Sequence, residues 1–187
     1  MGDVTAVRVW AYGTPPERQR RDLFVGNDVV YRESLETVDD GALHVRLRDG
    51  TDLRLGSASR VVLDEFIYDP DAGAGTLLAT VAKGVCRFIT GEAERGRFVV
   101  GTPVATIVPR GTEFSVWVEA DGSTRVWVQS GTVEVTPLQG NPALVRAREI
   151  VRVRTPSSAV ERNAPRPAAD PGLQSTTRVF FGRGKKK

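Results

Sequence analysis

Residues 112–135 read TEFSVWVEADGSTRVWVQSGTVEV, and this stretch decides the fold. Apolar and polar side chains alternate along 112–118 and again along 125–128, and the dipeptide Asp121-Gly122 separates the two runs. An alternation of period two is typical of a strand with one buried face, and Asp-Gly favours a tight turn because glycine adopts a positive φ at little cost. The stretch therefore predicts an antiparallel β-hairpin.

Similar patterns recur through the first 154 residues, where no helical period is sustained. Further strands are predicted at 4–10, 42–48, 52–55 and 132–135, with turns at Asp49-Gly50 and Ser130-Gly131. The hairpin over 41–51 resembles the one over 113–123, which indicates a weak internal repeat. A repeated strand–turn–strand unit buries its apolar face by stacking on its neighbour. We therefore predict an all-β fold of stacked antiparallel hairpins, either β-solenoid-like or sandwich-like.

The basic excess of the chain lies near its C-terminus. The whole chain carries 26 Lys and Arg against 23 Asp and Glu. Residues 1–154 hold 19 of these basic residues and 21 of the acidic ones, so residues 155–187 hold the remaining 7 and 2. This last segment is also rich in proline and poor in apolar residues, a composition that does not offset the entropy cost of ordering. We predict a folded domain over 1–154 and a Pro-rich, basic, disordered tail over 155–187.

Several short motifs occur in a characteristic order. The most specific are a Thr-Pro-x-Ala motif at 102–105 and an Arg-Gly-Thr-x-Phe motif at 110–114, with an Asp-Gly turn upstream. Their residues are Thr102, Pro103, Ala105, Arg110, Gly111, Thr112 and Phe114, together with Asp49 and Gly50. Shorter matches lie at 35–37, 41–43, 57–59, 62–64, 83–88 and 128–133. In this order the motifs resemble the FecR domain family, roughly over residues 35–136.

The resemblance implies an all-β module outside the cytoplasm, best known as the outer part of a transmembrane regulator that relays receptor occupancy to a sigma factor. This chain carries no anti-sigma segment and no run of 18 apolar residues, so it resembles the stand-alone members of the family. We expect a non-enzymatic protein-interaction or regulatory module, located in the periplasm or outside the cell. No signal peptide is recognisable in the chain.

The family motif residues are expected to serve the fold. Gly111 is predicted to form a bulge or a close backbone approach in a strand. Arg110 is expected to be a buried arginine that holds neighbouring carbonyls or a carboxylate such as Asp64, with ligand contact as the alternative. Asp49 and Gly50 are expected to form a turn, with a metal site as a remote alternative.

The sequence offers little for catalysis. His44 is the only histidine and Cys86 the only cysteine, so a zinc site has too few ligands and neither side chain has an evident catalytic partner. No glycine motif for nucleotide phosphates occurs. We therefore expect no enzyme activity, no metal and no cofactor.

The end of the tail mixes aromatic and basic side chains. The candidate partner-contact residues there are Arg178, Phe180, Phe181, Arg183, Lys185, Lys186 and Lys187. A protein partner is expected. For the tail end, docking on a partner or anchoring at an anionic membrane surface is favoured over nucleic-acid binding, while a solubilising end with no specific role is the largest alternative.

The alternative function is structural: a subunit of an envelope or surface assembly that self-associates through its β-domain and tail. The tryptophans bear on this alternative. Trp117 and Trp127 lie on adjacent predicted strands, where they pair in the core or, if exposed, form an interface. The core is favoured because aromatic side chains bury a large apolar area.

Overall fold

The computed structural model describes residues 1–69, 74–90 and 97–174. These residues form strands and one short 3-10 helix: β1 (Gly2–Arg8), β2 (Ala11–Thr14), β3 (Arg21–Asp22), β4 (Asp28–Val29), β5 (Ser34–Thr37), β6 (Ala42–Leu47), β7 (Asp52–Leu55), β8 (Arg60–Asp69), β9 (Ala74–Ile89), β10 (Arg97–Gly101), β11 (Ala105–Val118), β12 (Thr124–Pro137), β13 (Ala143–Arg146), β14 (Ile150–Val153), β15 (Glu161–Arg162) and the helix η1 (Pro171–Leu173). Within the described ranges, no helix has the length and apolar character needed to span a bilayer.

The strands form one continuous mixed sheet. Its main path runs β15-β14-β12-β11-β10-β9-β7-β6-β1-β4, while β13 pairs with β12. A branch leaves β9 through β8 to β5, β2 and β3. The pairings are antiparallel, except that β10 lies parallel to β9. The predicted all-β fold of antiparallel hairpins is therefore confirmed.

Three long strands change their buried face midway. In β9 the inward positions are odd at Ala79 and Val81 and even at Cys86 and Phe88, and Gly84 lies between them with a φ of 83°. The same change occurs in β11 at Gly111 (φ 55°) and in β12 at Gly131 (φ 77°). A change of parity within a strand requires a β-bulge, and glycine adopts the positive φ of such a bulge without steric cost.

The turn predicted at Ser130-Gly131 is wrong. The predicted strands 125–128 and 132–135 are parts of the single strand β12, which continues through Gly131 as a bulge. A Cβ at Gly131 would lie 2.4 Å from the carbonyl oxygen of Gly111. The two bulges therefore pack directly on each other, and both strands bend together instead of ending.

The bends divide the sheet into two layers. The front layer contains β1, β4, β6, β7, β14, β15 and the halves of the long strands that carry Phe88, Phe114 and Trp127; the back layer contains β2, β3, β5, β8, β10, β13 and the other halves. Phe98 of β10 pairs with Leu77 at the start of β9, yet its ring centroid lies 5.4 Å from that of Phe88 near the end of β9. The strand must therefore fold back on itself.

One apolar core fills the space between the layers. Its buried members include Leu43, Leu55 and Phe114 in front and Leu63 and Ile107 behind. This arrangement corresponds to the sandwich-like alternative. The fold-back of β9 also brings its end close to its start, so the chain returns for β10 in the parallel direction.

Residues 155–174, expected to be part of a disordered tail, pack against the domain. β15 pairs with β14, and residues 163–174, which we call the strap, cross the front layer on its outer face. Proline fixes φ and lacks an N–H group, so a Pro-rich segment crosses strands without needing ladder hydrogen bonds. Residues 175–187, with all the candidate contacts from Arg178 to Lys187, lie outside the described residues.

Candidate interaction surfaces

The Thr-Pro-x-Ala motif closes the turn between β10 and β11. The Thr102 hydroxyl accepts hydrogen bonds from the backbone N–H groups of Ala105 (3.0 Å) and Val104 (3.4 Å), and lies 3.1 Å from the hydroxyl of Thr124. Ala105 is fully buried, whereas Pro103 is exposed. The hydrogen bonds of Thr102 therefore fix the turn, and its contact with Thr124 links the turn to β12.

The Arg-Gly-Thr-x-Phe motif surrounds the bulge in β11. The Thr112 hydroxyl accepts from the backbone N–H of Arg110 (2.9 Å) and donates to the carbonyl of Thr132 (2.9 Å), and Phe114 lies in the core. The side chain of Arg110 is exposed, so it is not the buried arginine that the sequence led us to expect. The carboxylate of Asp64 instead accepts a hydrogen bond from the Thr80 hydroxyl, at 2.5 Å.

Asp49 and Gly50 form the turn between β6 and β7. The Asp49 carboxylate accepts from both the backbone N–H and the hydroxyl of Thr51, at 2.9 and 3.0 Å, and Gly50 has a φ of 85°. No group of three or more metal-ligating side chains occurs within the described ranges. The geometry of Asp49 and Gly50 is that of a turn.

His44 and Cys86 are held in environments that suppress their charged forms. Cys86 is fully buried in the core, and burial raises the pKa of its thiol. The Nε2 atom of His44 lies 2.7 Å from the carbonyl oxygen of Gly172 in the strap. The pKa of His44 is lowered. Burial under the strap is the largest cause, and the charge of Arg54 lowers the pKa further. His44 therefore serves a structural contact with the strap.

The favoured core placement of Trp117 and Trp127 is wrong. Both are half-buried on the outer face of the front layer, because they share the odd positions of β11 and β12 in this layer while the even positions point into the core. The guanidinium of Arg166 lies 3.3 Å from the ring centroid of Trp127. The strap, not the core, covers this tryptophan.

A group of exposed apolar side chains lies where both layers end. β3 pairs only with β2, and β4 only with β1, within the described part of the chain. Eight large apolar side chains are exposed among the residues whose burial the structure describes, and six of these lie around the edge strands. We call these six the edge patch: Val9, Trp10, Phe24, Val25, Val30 and Tyr31. Apolar exposure concentrated in this way is typical of protein contact sites.

The edge patch is built on ordered backbone. The N–H of Leu23 donates to the carbonyl of Ala11 (2.9 Å), so the residues next to Trp10 and Phe24 are joined by this backbone hydrogen bond. The side chains of Trp10 and Phe24 are 48% and 45% exposed. Val9 has a φ of 61°, a strained conformation for a β-branched residue that the surrounding structure must enforce.

A buried carboxylate anchors the loop that carries part of the patch. Glu33 is fully buried, and its Oε1 accepts from Nε (3.2 Å) and Nη2 (2.8 Å) of Arg21, while Oε2 accepts from the N–H of Val30 (2.8 Å). Arg21 also donates to the carbonyl of Asp28, at 2.6 Å. The exposed side chains at positions 24, 25, 30 and 31 are therefore held on a preorganised loop, whereas Val9 and Trp10 lie on the connection from β1 to β2.

Sequence reasoning missed both the edge patch and the strap. The signal for the patch was present as apolar pairs, Val9-Trp10 and Phe24-Val25, next to polar or charged segments. The signal for the strap was an Asp-Pro-Gly turn at 170–172, which opens η1 with Asp170 as its cap. Neither signal shows by itself which surface these residues meet.

One protein family and two solved structures are similar to this chain. A family model described as FecR protein matches residues 33–134. No curated protein matches the chain. Two crystal structures of a "putative anti-sigma factor" from Parabacteroides distasonis ATCC 8503 are similar to it, one at 22% identity with a TM-score of 0.59 and one at 19% with 0.56.

Each structural match covers 70% of this chain and 58% of the other, so the chain spans less than two thirds of the length of these relatives. At such identities the likeness shows a shared fold alone. The family match is of a different kind, because it covers more than half of the chain, including both motifs and the β11–β12 hairpin with its bulges. The chain belongs to the FecR protein family.

Proposed function

We propose that this protein is a non-enzymatic protein-interaction or regulatory module that works outside the cytoplasm and contacts its partner through the edge patch. Membership of the FecR family and the fold shared with anti-sigma-type proteins support a role in regulatory signalling. The observation that carries the proposal is a set of exposed apolar side chains on two loops, one of which, over residues 23–32, is anchored by the buried Glu33.

The physical argument rests on preorganisation. Burying apolar surface stabilises a complex by roughly 25 cal/mol per Å², but association is opposed by the ordering of mobile groups. The ion pair of Glu33 and Arg21 holds the loop before any partner arrives, so little of that ordering remains. Trp10 and Tyr31 supply the aromatic side chains that most often dominate binding energy at interfaces.

The test compares two matched double variants in cells of the source organism. Trp10→Ser with Phe24→Ser removes one aromatic side chain from each of the two loops of the patch, whereas Leu138→Ser with Leu144→Ser removes two equally exposed side chains near β13. Crosslinked affinity capture with the full chain should recover a specific envelope or receptor protein, which the patch variant loses at least tenfold and the control retains. Purified partner should then bind the full chain directly.

Three outcomes would contradict the proposal. Equal loss of the partner in both variants would show that the patch is not the contact. Mass that grows with protein concentration, and that the patch variant abolishes, would instead favour the self-associating subunit of an assembly. Fractionation of the native protein into the cytoplasm would overturn its proposed location.

A further inference from the structure

We propose that the outer face of the front layer is a peptide-binding site for a partner segment that presents Asp, one intervening residue, Gly and an apolar residue, and that residues 170–173 of this chain occupy it as a tethered ligand. This site is separate from the edge patch and goes beyond the function proposed above.

Individual groups of the front layer form hydrogen bonds with the backbone and the Asp170 side chain of the strap. The Asp170 carboxylate accepts from the N–H of Ser57 (2.8 Å). The carbonyl oxygen of Gly172 accepts a hydrogen bond from Nε2 of His44, at 2.7 Å. The carbonyl oxygen of Leu173 accepts hydrogen bonds from the guanidinium groups of Arg54 (3.3 Å) and Arg87 (3.4 Å). These donors lie in a row across the sheet, since His44 pairs with Arg54 and Arg54 with Arg87.

Two close approaches make the site selective. A Cβ at Gly172 would lie 2.7 Å from the Cβ of Ala42, so this position of the ligand must be glycine. A Cβ at Gly56 on the receptor side would lie 2.5 Å from Oδ2 of Asp170, so the absence of a side chain there admits the carboxylate. Leu173 is 6% exposed, which shows that its side chain is enclosed.

The strap crosses the front layer as an extended ligand would. Arg166 stacks on Trp127 in β12, and Gly172 lies on His44 in β6, four strand spacings away. Trp127 and His44 lie in one row of the sheet, since Trp127 pairs with Ser115, Ser115 with Arg87, Arg87 with Arg54 and Arg54 with His44. The strap therefore crosses the strands perpendicular to them, over about 19 Å.

The side chains beneath the strap include many charged groups, as on a solvent-exposed protein surface. They include Arg87, which pairs with Glu113, and Arg125 and Arg152, which both pair with Glu119. Leu173 is not part of the apolar core cluster, although it is enclosed. Lifting the strap would expose charged and amphipathic groups and leave the core intact, so the contact is separable from the fold.

The strap fills its groove incompletely. A pocket of about 380 Å³ that is open to solvent remains between residues 167–171 and the sheet, lined by Arg8, Asp40 and Trp117 among others. The buried Nε atoms of Arg87, Arg125 and Arg152 have no acceptor within the described part of the chain.

A partner peptide can improve on the strap in both respects. A larger side chain in place of Ala168 would fill the space beside Trp117, and added acceptors would satisfy buried donors, which are costly to leave unpaired. The tethered strap competes at an effective concentration in the millimolar range, so the site opens only to a better-fitting segment.

The experiment uses the full chain and a fluorescent synthetic peptide of residues 163–174. Gly172→Ala in the protein should displace its own strap, and this variant should bind the peptide at least tenfold more tightly than the wild-type protein. Gly101→Ala is the matched control, because its Cβ would meet only the Thr80 hydroxyl at an ordinary 3.5 Å. Peptides with Asp170→Ala or Gly172→Ala should bind at least tenfold more weakly, and one with Ala168→Leu about tenfold more tightly.

The proposal is overturned if the folded Gly172→Ala protein does not bind the peptide, or if this variant fails to fold, because the strap would then be part of the fold. A variant with Asp170→Ala in the protein provides a second route to an open site. Concentration-dependent dimers that exchange their straps would make a second copy, rather than a partner protein, the ligand. An unchanged affinity of the Ala168→Leu peptide would overturn the argument from incomplete filling.

Discussion

Replacement of Glu33 by alanine tests whether the edge patch depends on a buried ion pair. The variant leaves the N–H of Val30 without its acceptor and removes both hydrogen bonds from Arg21. Removing one partner of a buried pair costs about 3–5 kcal/mol. The Arg21 side chain is 36% exposed and regains water, so we expect the lower end, about 3 kcal/mol.

Thermal and urea unfolding measure this loss directly. For a domain of this size, 3 kcal/mol corresponds to a fall in Tm of about 6–12 °C. The matched control is Glu36→Ala, which breaks the pair with Arg60 at the surface, where the side chains are 22% and 46% exposed. That change should cost no more than about 1 kcal/mol. Equal losses in the two variants would refute the anchoring role of Glu33, and with it the preorganisation of the patch.

Three further changes test the fold and the strap. Gly131→Ala should destabilise by at least about 2 kcal/mol in urea unfolding, because it combines a φ of 77° with a Cβ that would lie 2.4 Å from a carbonyl oxygen of the neighbouring strand; a neutral result would contradict the paired bulges. Burial is the largest effect on the pKa of His44 and lowers it; the hydrogen bond to the Gly172 carbonyl opposes this shift, Arg54 adds to it and Asp52 opposes it, and the net lowering means that the covered state favours neutral histidine. Strap binding should therefore be complete above about pH 6.5 and weaken as the pH falls below it, seen as faster hydrogen exchange at 170–174, and His44→Gln should remove this dependence. Cys86 should resist a thiol reagent in the native protein and react only on unfolding, since burial raises its pKa; rapid native labelling would contradict its place in the core.

Much of the fold follows from local patterns. The alternation along 112–118 and the turn at Asp121-Gly122 identify the β11–β12 hairpin, because one buried face and one tight turn are both encoded within a few residues. The same holds for β6 and β7 around Asp49-Gly50. The mistake at Ser130-Gly131 has the same origin: Ser-Gly reads as a turn locally, but whether glycine reverses a strand or bends it depends on the neighbouring strand.

The strands β1, β6, β7, β11 and β12, the turns at Asp49-Gly50 and Asp121-Gly122 and the FecR motifs follow from the sequence alone, since each depends on the spacing of side chains along the chain. The other strands, and the pairs of solvent-facing groups that meet, depend on the tertiary structure. The edge patch forms because two distant loops meet where both layers end, and the strap binds because the sheet order sets His44, Arg54 and Arg87 in one row. Contacts between segments more than 80 residues apart depend on that order, which no local period encodes.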